Sequence, residues 1–157
     1  LSGDITVQIA REDKVLNLNN DALSIHTSTG YITSEVRDMT VAEFIAMFAN
    51  DADCLEVKDL AGNVLASDDL VGTGAVITLK SKYTDNVYDS ETVVVYGDVT
   101  GDGKVNLADV SLILKKIAKW DVTMIDAAAD VTGDGKTNLA DVSLILKKIA
   151  KWDVEFK

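Results

Sequence analysis

Over the first 96 residues apolar and polar positions mostly alternate. "DITVQIA" (residues 4–10) does so over its whole length, and "ALSIHT" (22–27) and "GYITSEV" (30–36) at shorter range. A period of two places successive side chains on opposite faces of a strand. "TVAEFIAMFAND" (40–51) breaks the period. There Thr40 and Glu43 make a capping box, and Val41, Phe44, Ile45 and Phe48 fall on one helical stripe. "CLEVKDLAGNVLAS" (54–67) reads as a hairpin around Ala61-Gly62, with "AVITLKS" (75–81) and "ETVVVYG" (91–97) as further strands. The pattern predicts a small β-rich domain over residues 1–96, Ig-like or α+β, with about seven strands and one short helix.

At Tyr96-Gly97 the period changes. "DVTGDGKVNLADVSLILKKIAKWDV" starts at Asp98 and returns at Asp130, with Val105 against Thr137 the single difference over 25 positions. Each copy is a polar loop followed by a helix-period segment; "TMIDAAA" links them and "DVEFK" is a tail. Oxygen-bearing side chains in the first loop (98–109) fall on Asp98, Thr100, Asp102, Asn106 and Asp109, which are positions 1, 3, 5, 9 and 12, with Gly103 at position 6. This is EF-hand spacing. Calcium takes six to eight oxygens at roughly 2.3–2.6 Å, so alternate residues of a curled loop can supply them, and the Lys104 carbonyl would serve position 7. In the second loop (130–141) Asp130, Thr132, Asp134, Lys136, Asn138 and Asp141 take the same roles, with Gly135 at the turn. Magnesium wants shorter, near-octahedral contacts and zinc wants sulfur or imidazole, so the donor set favours two calcium ions.

Asn106 suits an N-cap and Asp109 sits at N3, so one residue can close the metal site and start the helix. Metal binding is then coupled to folding. Position 12 is Asp rather than the usual Glu, and "TVVVYG" before the first loop reads as a strand, not an entering helix. A sensor opens by swinging two helices apart. With one of them missing, the calcium is expected to be structural.

Composition narrows the function. The chain has 157 residues, 47% of them hydrophobic, so a packed core is expected. Residues 1–97 carry 16 acids against 6 bases, and residues 98–157 carry 10 acids against 9 lysines. An acidic chain without a basic patch is a poor binder of nucleic acid. No apolar run reaches the roughly 20 residues of a membrane span. Cys54 and His26 are each single, and no catalytic constellation is visible, which argues against an enzyme. Opening on Leu1 rather than Met, the chain reads as an excised fragment without its targeting signals.

Two loop–helix calcium repeats without the entering helix resemble the dockerin module of bacterial cellulosomes and related assemblies. "GDVTGDGKVNLADVSLILKKI" (97–117) and "DVTGDGKTNLADVSLILKKI" (130–149) carry the resemblance. Thr100 and Thr132 stand where that family usually has Asn. The resemblance implies an all-α dockerin fold over 97–157, with two F-hand repeats and pseudo-twofold symmetry. It implies a secreted or cell-surface protein whose partner is a cohesin module on a scaffoldin. Residues 1–96 look like the X-modules that accompany some dockerins, which are often Ig-like.

On the helices, Val110, Ile113 and Ile117 form a stripe suited to the interior. A second stripe holds Leu107, Ala108, Leu114 and Ala118, interleaved with Ser111, Lys115 and Lys119. In the second repeat it is Leu139, Ala140, Ser143, Leu146, Lys147, Ala150 and Lys151. The family's recognition positions fall on these stripes. Calcium geometry does not explain why surface lysines repeat. Two copies about a pseudo-twofold axis would present one partner with the same face in two orientations, which predicts a dual binding mode. The rival readings are a recent duplication, and a calcium-stabilised spacer whose stripes pack within their own chain. Tyr96 and Phe156 are expected to stack as a clasp, and Trp120 and Trp152 to pack at helix ends.

Overall fold

The computed structural model describes residues 12–34 and 37–157. The expected strand at 4–10 lies outside them. Five strands form one sheet: β1 (Leu23–His26), β2 (Tyr31–Ser34), β3 (Leu55–Lys58), β4 (Val76–Lys80) and β5 (Val87–Val95), in the order β1-β2-β5-β4-β3. All pairings are antiparallel except β2 with β5, which run parallel. Among the described residues there is one sheet, so the region has the α+β rather than the sandwich arrangement.

Alternation explains the strands. Leu55 and Val57 of β3, and Ile77 and Leu79 of β4, are buried, while their neighbours are partly exposed. Helix α1 (Val41–Ala46) begins at Thr40, whose hydroxyl accepts the Glu43 N–H while the Glu43 carboxylate accepts the Thr40 N–H at 2.9 Å. Val41 and Phe44 join the sheet's core with Phe48, whose ring meets Phe44 edge-on at 5.2 Å. The expected hairpin at Ala61-Gly62 forms in a short version. The Asp59 N–H donates to the Asn63 carbonyl at 2.8 Å, the Leu65 N–H to the Val57 carbonyl at 2.9 Å, and Lys58 bridges Val64, while the other edge of β3 pairs with β4. Leu60 and Val64 stay exposed and Leu65 packs against the core, so the second arm is held at its end and stays short.

Strand β5 is buried on both sides at its end. Val93 and Val95 enter the core of the sheet, whereas Val94 enters a second core built with Val99, Val110, Ile113, Ala128, Ala129, Val131, Val142, Ile145 and Phe156. A strand covered on both faces reads as a continuous apolar run, which accounts for "VVV" at 93–95. Helices α2 (Leu107–Ile117) and α4 (Leu139–Ile149) supply Val110, Ile113, Val142 and Ile145 to the second core. The short α3 (Asp126–Ala129) lies beneath β5, where Gly97 donates to the Ala128 carbonyl at 2.8 Å. Four buried, neutral small side chains (Val94, Ala128, Ala129, Val131) thus weld the sheet to the repeats.

Tyr96 and Phe156 do not stack on each other. Phe156 is buried against Gly97, with the Arg37 guanidinium 5.1 Å and the Lys148 ammonium 5.6 Å from its ring. Tyr96 faces Lys157 at 5.2 Å. The two ends of the C-terminal part are held by cations over rings rather than by ring on ring.

Glu91 lies buried on β5, and its Oε2 has no hydrogen-bond partner among the described residues. Burial pushes its carboxyl above the ordinary range, and the charge of Asp89 pushes the same way. A raised folded-state pKa means that the carboxyl favours the fold below its unfolded value and that this contribution is lost as pH rises through the folded value. Glu91→Gln should therefore raise stability near neutral pH by about 1 kcal/mol, with the gain fading as pH falls through the raised folded-state value and gone below about 4. Denaturant melts at several pH values check this.

Candidate metal centre

In each loop a helix start and a carboxylate cluster are the same object. Asn106 caps α2, its Oδ1 accepting the Ala108 N–H at 2.8 Å. The fully buried Asp109 points both ways. Its Oδ2 accepts the Asn106 N–H at 2.9 Å, closing a capping box. Its Oδ1 reaches back across the loop to the N–H groups of Val99 and Thr100 and to the Thr100 hydroxyl, at 2.9–3.0 Å. The second loop repeats this. Asp141 Oδ2 accepts from Asn138 N at 2.9 Å, and its Oδ1 accepts from the Thr132 N–H and hydroxyl at 3.1 and 2.9 Å.

The loops curl around their first aspartate. Asp98 Oδ1 accepts the N–H groups of Gly101 and Asp102 at 2.8 and 3.2 Å, and Oδ2 that of Gly103 at 3.0 Å. Asp130 likewise accepts from Gly133 and Gly135 at 2.8 and 2.9 Å. Gly103 and Gly135 sit at φ +79° and +78°, where a side chain would be strained. The turn residue at position 6 is glycine for that reason.

Asp98, Asp102 and Asp109 bring one carboxylate oxygen each within 4.8 Å of one another, and so do Asp130, Asp134 and Asp141. Two ligands on one calcium ion lie at most about 5 Å apart, twice the contact distance. The clusters fit a single ion each, and every donor present is oxygen. Of the remaining expected ligands, the Thr100 and Thr132 hydroxyls stand beside the first and last aspartates of their loops. Lys104 and Lys136 expose their side chains, and their main-chain carbonyls would be the ligating groups. Asn106 and Asn138 engage Oδ1 in the caps. That suits position 9, which in such loops often reaches the ion through water.

The surroundings of the two loops differ, and here the sequence offers no signal. Thr73 donates its N–H to Asp98 Oδ2 at 2.9 Å from a segment 25 residues earlier. Burial pushes the Asp98 carboxyl up, and Asp109 adds to this, against the opposing N–H groups of Thr73, Gly101 and Gly103. At Asp130 burial also pushes up, but the Lys157 ammonium at 3.2 Å and the Gly135 and Gly133 N–H groups outweigh it, and the carboxyl ends below its ordinary value. Neither "VGTGA" (71–75) nor a terminal lysine announces itself as part of a metal site.

All fourteen residues of the second helical stripes are exposed: Leu107, Ala108, Ser111, Leu114, Lys115, Ala118 and Lys119, and Leu139, Ala140, Ser143, Leu146, Lys147, Ala150 and Lys151. The interior stripe is spent, with Val110, Ile113, Val142 and Ile145 buried. Trp120 and Trp152, expected to pack at helix ends, are instead 63% and 62% exposed and extend these faces. Both helices end in a Schellman motif. Trp120 N–H bonds the Lys115 carbonyl and Lys119 N–H the Lys116 carbonyl, both at 2.9 Å, with Lys119 at φ +62°. Lys151 repeats this at φ +60°. Cys54 is half-buried, and burial followed by the nearby Asp51 charge pushes its thiol up, away from the reactive thiolate.

Three carboxylates within 4.8 Å repel one another strongly without a cation. Because the same aspartate closes the loop and starts the helix, stripping calcium with EDTA should cost the chain most of the circular-dichroism signal of α2 and α4. Readdition of calcium should restore it. A helical signal unchanged by EDTA would break the link between ion and helix.

Among proteins of known family, residues 96–150 match the family model of the dockerin type I domain. Comparison with curated proteins and with solved structures returned no match.

Proposed function

With residues 96–150 matching a dockerin type I domain, a non-catalytic module that binds calcium and pairs with cohesins, we propose that this chain is a calcium-dependent adaptor. It anchors its parent protein to a cohesin in a cellulosome-type complex, outside the cell or at its surface. Residues 1–96 act as an X-module-like partner and residues 97–157 as the dockerin. Asp98, Thr100, Asp102, Lys104, Asn106 and Asp109, with their counterparts from Asp130 to Asp141, hold two calcium ions that lock each helix onto its loop. The helices pack through Val110, Ile113, Val142 and Ile145 and present their opposite faces to the cohesin. No helix among the described residues is long and apolar enough to cross a membrane.

One observation carries the reading. The outer faces of both repeats remain open although the chain had every chance to cover them. Leu107 and Leu139 are 65% and 63% exposed, and Leu114 and Leu146 42% and 41%. A spacer packing only within its own chain would bury them. Their equality also supports the dual mode, since neither repeat is pre-empted by the N-terminal region. Lysine at both left-handed caps points the same way. Glycine there would relieve the left-handed strain, so an exposed lysine at each cap costs stability while adding a cation to the open face.

The test is a cohesin titration with and without EDTA. Leu107→Arg with Ala108→Arg should leave affinity within about threefold, as should Leu139→Arg with Ala140→Arg, while all four together should weaken it more than about 100-fold, roughly 2.7 kcal/mol. Abolition by either pair alone rules out two orientations. Lys119→Gly with Lys151→Gly should stabilise the module by about 1 kcal/mol while weakening the complex. Thermal melts and the same titration read both.

A further inference from the structure

The ligand chemistry of the two loops is the same, since residues 98–109 and 130–141 differ only at Val105 and Thr137. Any difference between their ions must come from outside the repeat. We propose that the calcium sites are unequal: the segment Leu70–Thr73 of the N-terminal region forms the outer wall of the first site, with Gly72 and Thr73 as positioning residues, whereas the second is opposed by the tethered cation Lys157. This rests on the calcium reading above.

The wall is backbone against backbone. A Cβ added at Gly72 would lie 2.1 Å from the Gly101 carbonyl oxygen and 2.7 Å from the Gly103 nitrogen, so only glycine fits. Gly101 faces the Thr73 carbonyl, and Gly103 faces Leu70 and Val71. Asp38 donates its N–H to the Gly103 carbonyl at 2.9 Å. Thr73 is itself clamped: its hydroxyl donates to the Val95 carbonyl at 3.1 Å and accepts the Val95 N–H at 2.9 Å. From that anchor its N–H meets Asp98 Oδ2 at 2.9 Å in a buried position. The position-1 ligand is thereby held by the sheet before any ion arrives.

Among the described residues nothing equivalent stands at the second loop. A Cβ on Gly135 would meet nothing within 4 Å, and one on Gly133 would meet only Lys157. There Lys157 donates its N–H to the Val131 carbonyl at 2.9 Å and sets its ammonium 3.2 Å from Asp130 Oδ2. A fixed neutral donor orders a ligand without competing for its charge, and the ordering is already paid before binding. A positive charge beside a ligand opposes the dication by Coulomb repulsion. Both effects favour the first site. By linkage, calcium in the first loop must also firm the 70–73 segment against it, so that this ion ties the two parts of the chain together.

Calorimetric calcium titration of the full chain tests this, with Asp134→Ala leaving the first site and Asp102→Ala the second. The first site should bind at least tenfold tighter. Gly72→Ala should weaken the first at least tenfold and the second less than twofold, and Lys157→Gln should tighten the second several-fold. Equal affinities, or a Gly72→Ala effect shared by both loops, would overturn the proposal. Should Gly72→Ala not fold, hydrogen exchange on Asp134→Ala decides: calcium should slow the Thr73 and Asp38 amides at least tenfold more than the Leu79 amide. An equal response sinks it. Two intact calcium sites in a chain that ignores cohesin would fault the adaptor reading alone.

Discussion

A single carboxylate per repeat bears the structure of the C-terminal half. Asp109 holds its own loop through Oδ1 and caps its own helix through Oδ2, and Asp141 does the same. Glu43 fills the same N3 place in α1, but there the carboxylate serves only the cap, whereas Asp109 and Asp141 also reach back into their loops. Loop closure, helix initiation and ion binding thus share one group. The buried stripe Val110–Ile113 can face β5 only when that helix has begun at the right residue, and the outward stripe follows by the 3.6-residue period. The calcium chemistry therefore fixes the orientation of a surface that never touches the ion.

The second organising feature is β5. It pairs with β4 over residues 87–92 and with β2 over residues 92–95, and ends as a wall between two hydrophobic cores. Val94 is as much a part of the repeats as Ile113 is, although it lies in the preceding region. Thr73 uses the end of this strand as its anchor while supporting Asp98. The two repeats are therefore alike in their exposed outer faces and unlike in the ground beneath their loops.

Much of this was legible in the chain because local physics dictates it. Loop spacing, the glycines at positive φ, the caps at Thr40, Asn106 and Asn138, and the strand alternation at 55–58 and 76–80 are all short-range consequences of residue type. What was not legible depends on approach between distant segments. Gly72 reads as an ordinary turn glycine, and only the position of Gly101 against it makes it irreplaceable. Lys157 reads as a tail residue until the chain folds back along Val131. The hairpin expected at Ala61-Gly62 has the right turn and a short second arm, which only Leu65 anchors to the core among its described residues. The tryptophans look like core residues by type, yet the Schellman turn lifts them outward.

The shared wall at β5 also has a mechanical meaning. A tandem of domains joined by a linker hangs like beads and lets each bead swing under load. Here the last apolar residues of one part are the floor of the next, and Tyr96-Gly97 leaves no slack between them. A pull delivered through the repeats passes directly into the hydrogen bonds of the sheet, so the two parts resist it as one stiff arm rather than as a string.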